Sequence, residues 1–144
     1  MFNKILLCSD GSERSIQAAA MAADIAKCRG SRLTLLHVCP LPEVDDPFAG
    51  APGLPKHAVE AFIKARHVSV IHRTLGPVKD AGVSCEILEE VGNPVDVIAR
   101  VADNQEFDLV VMGSRAHKSE KMTELGSVSF GVVQRVHCPV LVVK

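Results

Sequence analysis

Asp108-Leu109-Val110-Val111-Met112-Gly113-Ser114 is an acidic residue, four apolar residues and a glycine stop, and the rest of the chain is best read outward from it. A short apolar run with no polar alternation suits a strand covered on both faces, as in a parallel sheet. Upstream, Asn93-Pro94 is a helix start, with Asn as the cap and Pro at the first helical position. In that helix Val95, Ile98, Ala99 and Ala102 are expected to face inward. Downstream, a polar loop precedes Gly126-Ser127-Val128-Ser129, which opens a last helix reaching about Val136. Pro139 then separates this helix from Val140-Leu141-Val142-Val143, a fifth strand.

The N-terminal half repeats the pattern. Lys4-Ile5-Leu6-Leu7-Cys8 reads as a buried strand, broken by Ser9-Asp10-Gly11-Ser12. Ser12 caps a helix running to about Cys28, with Ile16, Ala19, Ala20, Ala23 and Ala26 as a small-residue face and Gly30 as its left-handed stop. Leu33 to Val38 form a second strand, and residues 39 to 55, rich in Pro, Gly and Asp, read as a loop. A helix follows from about Pro55, with Ala58, Phe62, Ala65 and Leu75 inward, and Gly76-Pro77 is expected to break or kink it. Val83, Cys85 and Ile87 alternate with polar residues, as in a half-buried strand near a sheet edge. Strand and helix thus alternate four times before a final strand, which implies a doubly wound α/β parallel sheet with helices on both faces. No internal repeat is visible, and residues 1–144 are expected to form one domain.

Composition narrows the function. The chain is 47% hydrophobic with no Trp or Tyr, so aliphatic residues carry the core. A formal net charge of -1 and the lack of any Lys/Arg run argue against nucleic acid as a partner. The first apolar segment is too short for a membrane span or a signal core, which points to no membrane association and a cytoplasmic protein. Cys8, Cys28, Cys39, Cys85 and Cys138 are scattered, as reduced thiols are. The six histidines, His37, His57, His67, His72, His117 and His137, lack metal-ligand spacing, so no metal site is assigned. No Ser-His-Asp set or paired-carboxylate motif marks a fast enzyme, and no catalytic residue is assigned.

In parallel sheets of this kind, ligands bind beyond the carboxyl ends of the strands, where strand order reverses. Two strand ends carry suitable residues: Ser9-Asp10-Gly11-Ser12 after the first, and Gly113-Ser114-Arg115-Ala116 after the fourth. Gly113 and Gly126 would let backbone approach a ligand and adopt angles closed to other residues. The amides opening the last helix, with the hydroxyls of Ser127 and Ser129, suit a phosphate. Arg115, His117, Lys118 and Lys121 bias the intervening loop positively despite Glu120 and Glu124. Neither a Walker A loop nor a Gly-x-Gly-x-x-Gly fingerprint is present.

On these residues the chain resembles the universal stress proteins. Gly113, Ala116 and Gly126-Ser127 are similar to that family's ATP-binding pattern of Gly, two residues, Gly, nine residues, Gly and Ser or Thr. The likeness extends to Ile5-Leu6-Leu7 leading into Asp10, to Gly92-Asn93-Pro94, to Asp108–Ser114 and to Cys138-Pro139-Val140-Leu141-Val142-Val143. It implies a five-stranded sheet in the order 3-2-1-4-5, of the adenine nucleotide α-hydrolase-like type, with strands one and four adjacent. It also implies ATP, ADP or AMP as ligand, with Mg2+ on the phosphates. Val38 would read the adenine edge through its backbone, near Cys8 and Ser9, and Asp10 would serve the ribose or a phosphate-bound magnesium. Met112, Gly113 and Arg115 would line the sugar and phosphates, and Gly126, Ser127, Val128 and Ser129 would hold the phosphate tail. The family's final strand, here Val140–Val143, pairs across a homodimer, and the role implied is in the stress response.

Ala116 departs from the pattern, which has glycine there. At a positive φ an alanine costs about 1–2 kcal/mol, roughly a factor of ten in affinity. Other readings stand beside the nucleotide-binding one: a dimeric interaction scaffold without nucleotide, a slow ATPase, and an enzyme of the related α-hydrolase-like folds. The last needs a Ser-Gly-Gly-x-Asp-Ser loop that Ser9-Asp10-Gly11-Ser12-Glu13-Arg14-Ser15 matches poorly. Asp10 has a turn-holding role open to it, Gly126-Ser127 a capping role, and the Asp45-Asp46 loop a role as lid, partner contact or plain surface.

Overall fold

A computed structural model describes residues 1–40, 55–114 and 125–144. The strands are β1 (Lys4–Cys8), β2 (Arg32–Cys39), β3 (Cys85–Val91), β4 (Leu109–Gly113) and β5 (Val140–Val143). The helices are α1 (Glu13–Arg29), α2 (Lys56–Asp80), α3 (Pro94–Asn104) and α4 (Ser127–Arg135). All strand pairings are parallel, in the order β3-β2-β1-β4-β5. Leu7 lies level with Leu35 on one side and Val111 on the other, which fixes the register of the central strands. Among the described residues, no helix is long and apolar enough to cross a membrane.

The unbroken apolar runs are explained by two cores. Successive side chains of a strand point to opposite faces. Ile5, Leu7, Leu33, Leu35, Leu109 and Val111 meet α1 and α2, whereas Leu6, Cys8, Leu36, Val38, Val110 and Met112 meet α3 and α4. With both faces covered, no strand position in the centre of the sheet can be polar without a buried partner.

The helix ends follow their cap residues. Ser12 Oγ accepts from the Ser15 amide at 3.3 Å, and Gly30 closes α1 at φ 67°. Asn93 Oδ1 accepts from the Asp96 amide at 3.1 Å, with Pro94 opening α3. The buried face of α1 is Ser15, Ala18, Ala19, Ala22, Ala23 and Ala26, so Ile16 is only half-buried and Ala20 is exposed. The face is turned relative to the one read from Ile16 because its small residues let the helix press against β4. In α3 the buried set is Val97, Ile98, Ala99, Val101 and Ala102. Val95 instead packs on α4, where a side chain at Gly131 would come within 2.8 Å of Val95 Cγ2.

Three further expectations are corrected. Gly76-Pro77 does not break α2, which continues to Asp80. Pro77 removes one helical donor, but it falls in the last turn, where little helix remains to disrupt. The buried residues of α2 are His67, Val70, Ile71, Thr74 and Val78, and Leu75 packs inward as expected, while Phe62 is 68% exposed and Ala65 is exposed. No residue of α2 before His67 is buried, so the apolar spacing there answers to no core. β3 is an edge strand, as its alternation suggests, but it begins at Cys85 rather than Val83 and leaves Ile87 44% exposed. Beyond Cys85 the packed residue is Leu88, on the α3 side.

Candidate functional site

From β1 the chain crosses to β2, and from β4 to β5, so the connections leave in opposite directions and open a crevice at the carboxyl ends of β1 and β4. A cavity of about 190 Å³ occupies it. Its walls come from the ends of β1, β2 and β4, the first turns of α3 and α4, and Arg66 of α2.

The β1 corner is a closed hydrogen-bond system. Asp10 Oδ1 accepts from the Ser12 amide at 2.9 Å and the Ser15 hydroxyl at 2.7 Å. This engages Asp10 in the turn-holding role, even though it also lines the cavity. Gly11 takes φ 81°, which lets the turn reverse. The Thr74 hydroxyl donates to the Val70 carbonyl at 2.7 Å, so in its 2.7 Å contact with Thr74 the Ser9 hydroxyl is the donor. Ser9 Oγ also accepts from the Gly11 amide at 3.1 Å. Cys8 is buried in the floor, and desolvation, followed by the proximity of Cys138, pushes its thiol far up, so it is inert at neutral pH.

At the β4 corner, main chain meets main chain. A Cβ on Gly113 would lie 2.6 Å from Arg14 C and from Ser15 N, closer than any side chain permits. Gly113 therefore serves the approach of α1, and its φ lies outside the left-handed region. Arg14 Nη1 donates to the Ser114 carbonyl at 2.6 Å, and the Ser114 amide donates to the Val143 carbonyl at 2.7 Å. Gly126 sits at φ -61°, ψ 159°, a conformation any residue adopts, so it too is not required for its backbone angles. Among the described residues, no side chain caps the first amides of α4 at Gly126, which favours an anion at this wall. Ser129 donates to the Gly113 carbonyl at 3.2 Å and is buried, so it braces β4. The exposed Ser127 is left as the hydroxyl donor of this wall.

The third corner was not foreseen from the sequence. His37 of β2 lines the cavity, and its Nδ1 lies 2.7 Å from Nδ1 of His67 on α2, with the rings edge to face at 84°. Both are buried, at 3% and 4% exposure. Desolvation, then His67 and Arg66, hold His37 down at about 4, against a smaller opposing pull from Asp10. Arg66, beside them, is the cation of the described lining. Ile98, Met112 and Val38 add apolar surface between these polar corners.

Of the residues assigned from the sequence, Cys8, Ser9, Asp10, Val38, Met112, Gly113, Gly126, Ser127, Val128 and Ser129 line this one cavity. Arg115 and Ala116, with His117, Lys118, Glu120, Lys121 and Glu124, lie outside the described residues, as does Asp45-Asp46. The lining residues missed were chiefly His37, Arg66 and Ser15. His37 had one usable signal, its place next to Val38 at a strand end. Among the described residues, no group of three or more His, Cys, Asp or Glu is arranged to hold a metal ion.

A parallel sheet with a cavity at its switch point places this chain among the doubly wound α/β proteins. The model of the universal stress protein family matches residues 1–144. The universal stress protein YxiE of Bacillus subtilis is 32% identical over 148 aligned positions, which cover the whole of both chains. The solved MJ0577 protein of Methanocaldococcus jannaschii superimposes with a TM-score of 0.80 at 25% identity, covering 100% of this chain and 96% of that one. A universal stress protein solved in complex with cAMP superimposes at 0.67 and 25% identity, over 98% of this chain and 95% of that one. The chain belongs to the universal stress protein family.

Proposed function

We propose that this protein binds an adenine nucleotide, ATP, ADP or AMP, in the β1/β4 cavity and acts in the stress response as a homodimer without rapid turnover. The observation that carries the reading is the uncapped start of α4, with Ser127 exposed beside it, facing the same cavity as the apolar surface of Val38, Ile98 and Met112. The first suits a phosphate and the second a flat base. The cAMP complex of the related protein supports the adenine part of this assignment. In this reading the Val38 backbone meets the base, Asp10 and Met112 flank the sugar, and Gly113, Arg115 and residues 126–129 surround the phosphates. Magnesium arrives with the nucleotide. No residue of the described lining is arranged to activate a water, which favours binding over hydrolysis.

Calorimetric titration with ATP, ADP, AMP and GTP, with and without magnesium, tests the assignment. Saturation by an adenine nucleotide at micromolar levels is expected, and no saturation at millimolar levels sinks it, leaving the scaffold reading. Ala116→Gly is expected to tighten binding about tenfold, because it restores the glycine of the family pattern. An unchanged affinity rejects backbone conformation as the cause. The dimer rests on β5, an edge strand whose Val140, Leu141 and Val142 are only half-buried within the chain. Sedimentation at tens of micromolar is expected to give a dimer, and a monomer contradicts it.

A further inference from the structure

Toward the cavity, helix α2 is fastened by polar contacts. Counting from its N-terminus, the first buried residue is His67, and its partner is His37. The next polar attachment is Thr74, held by Ser9, two turns further on. Among the described residues, the buried attachment at the cavity-side end of α2 is therefore one contact between two titratable rings.

We propose that the His37–His67 pair is a proton-sensitive latch: proton uptake parts the two rings and undocks the His67 segment of α2 from β2, opening that wall of the cavity. Two neutral imidazoles share one bridging hydrogen, one Nδ1 donating and the other accepting. A first added proton leaves the bridge intact but creates a charge at two sites that water scarcely reaches. A second sets N–H against N–H at 2.7 Å, and the bridge cannot persist.

The charges facing the pair do not offset this. Arg66 repels from α2. Asp10 attracts, but Ser12 and Ser15 already engage its Oδ1. Glu89, level with His37 on β3, is exposed and so weakened by solvent. The Cys39 thiol is pushed up by burial and supplies no counter-charge. The low position of His37 agrees with this geometry. Once His67 is released, no buried residue anchors α2 before Val70, so the segment frays.

The test follows backbone hydrogen exchange and histidine NMR titration on the whole, ligand-free protein. With His37 falling from 6.5 when undocked to about 4 when docked, the opening equilibrium at pH 5 is expected to rise about 20-fold over neutral pH. After correction for intrinsic exchange, protection of residues 67–71 should fall by that factor, while β1 and β4 stay protected. His67→Gln, which keeps a hydrogen-bonding group without titrating, should make the fall clearly smaller, because only the burial of His37 then opposes protonation. Protection unchanged at pH 5, the same fall in His67→Gln, or both rings titrating at the ordinary value overturns the latch. If the variant does not fold, the wild-type ring titration decides alone. Release of nucleotide by acid rests on the proposed function. AMP failing to bind at any pH defeats that function, while the ligand-free exchange still judges the latch.

Discussion

The two sides of the cavity are built on different principles. On the β4 side, the Gly113 backbone touches the backbone of Arg14 and Ser15, Arg14 grips the Ser114 carbonyl, and Ser129 braces the Gly113 carbonyl. On the β2 side, contact is between polar side chains, His37 with His67 and Ser9 with Thr74. Backbone contact admits one residue type and tolerates no change in volume. Side-chain contact tolerates exchange, and in the histidine pair it depends on protonation. The first side is therefore rigid and indifferent to pH, and the second is the side that acid can loosen.

The largest effect is expected from breaking the β4 side. Gly113→Val drives a side chain into the α1 main chain, and urea unfolding should show a loss of at least about 3 kcal/mol. A loss below about 1 kcal/mol would mean that α1 can move away freely, which removes the contrast. Acid tests the other side. A histidine held low in the folded state binds fewer protons there than in the unfolded chain, so its contribution to stability is complete above pH 6.5 and lost as pH falls toward 4. Unfolding at pH 5 should show about 2 kcal/mol less stability from this pair than at pH 7.5, and His67→Gln should show a flatter profile.

Two neighbouring serines sharpen the division within the β4 side. Ser127→Ala is expected to weaken nucleotide binding about tenfold and to leave stability within about 0.5 kcal/mol. Ser129→Ala should do the reverse, costing about 1 kcal/mol of stability with the smaller change in affinity. Calorimetry and urea unfolding on the same two variants decide this, and equal effects on both quantities would refute the separate roles.

The same contrast explains what the sequence made legible. Strand runs such as Leu109–Met112, the caps Ser12 and Asn93 and the glycine stop at Gly30 are local, and the structure bears them out. Gly113 and Gly126 stood out by spacing, but neither takes the unusual backbone angles expected of it. Gly113 makes room for α1, and Gly126 adopts an ordinary conformation. The inward face of α2 was misread because Phe62 and Ala65 lie on turns that meet no core, and helical spacing carries no information about where a sheet ends. The His37–His67 contact left no trace, since thirty residues separate the partners and only the packing of α2 on β2 brings them together. Paired residues from separate elements are invisible to a reading of one chain.

The central claim is that one cavity receives phosphate at the start of α4 and a base at the end of β2. Amide chemical-shift mapping on addition of AMP tests it most directly. The expected result is saturable shifts at Asp10, Val38, Gly113, Ser127 and Val128, with the Ser127 and Val128 amides moving most. Shifts confined to another surface, or none at millimolar AMP, would contradict it.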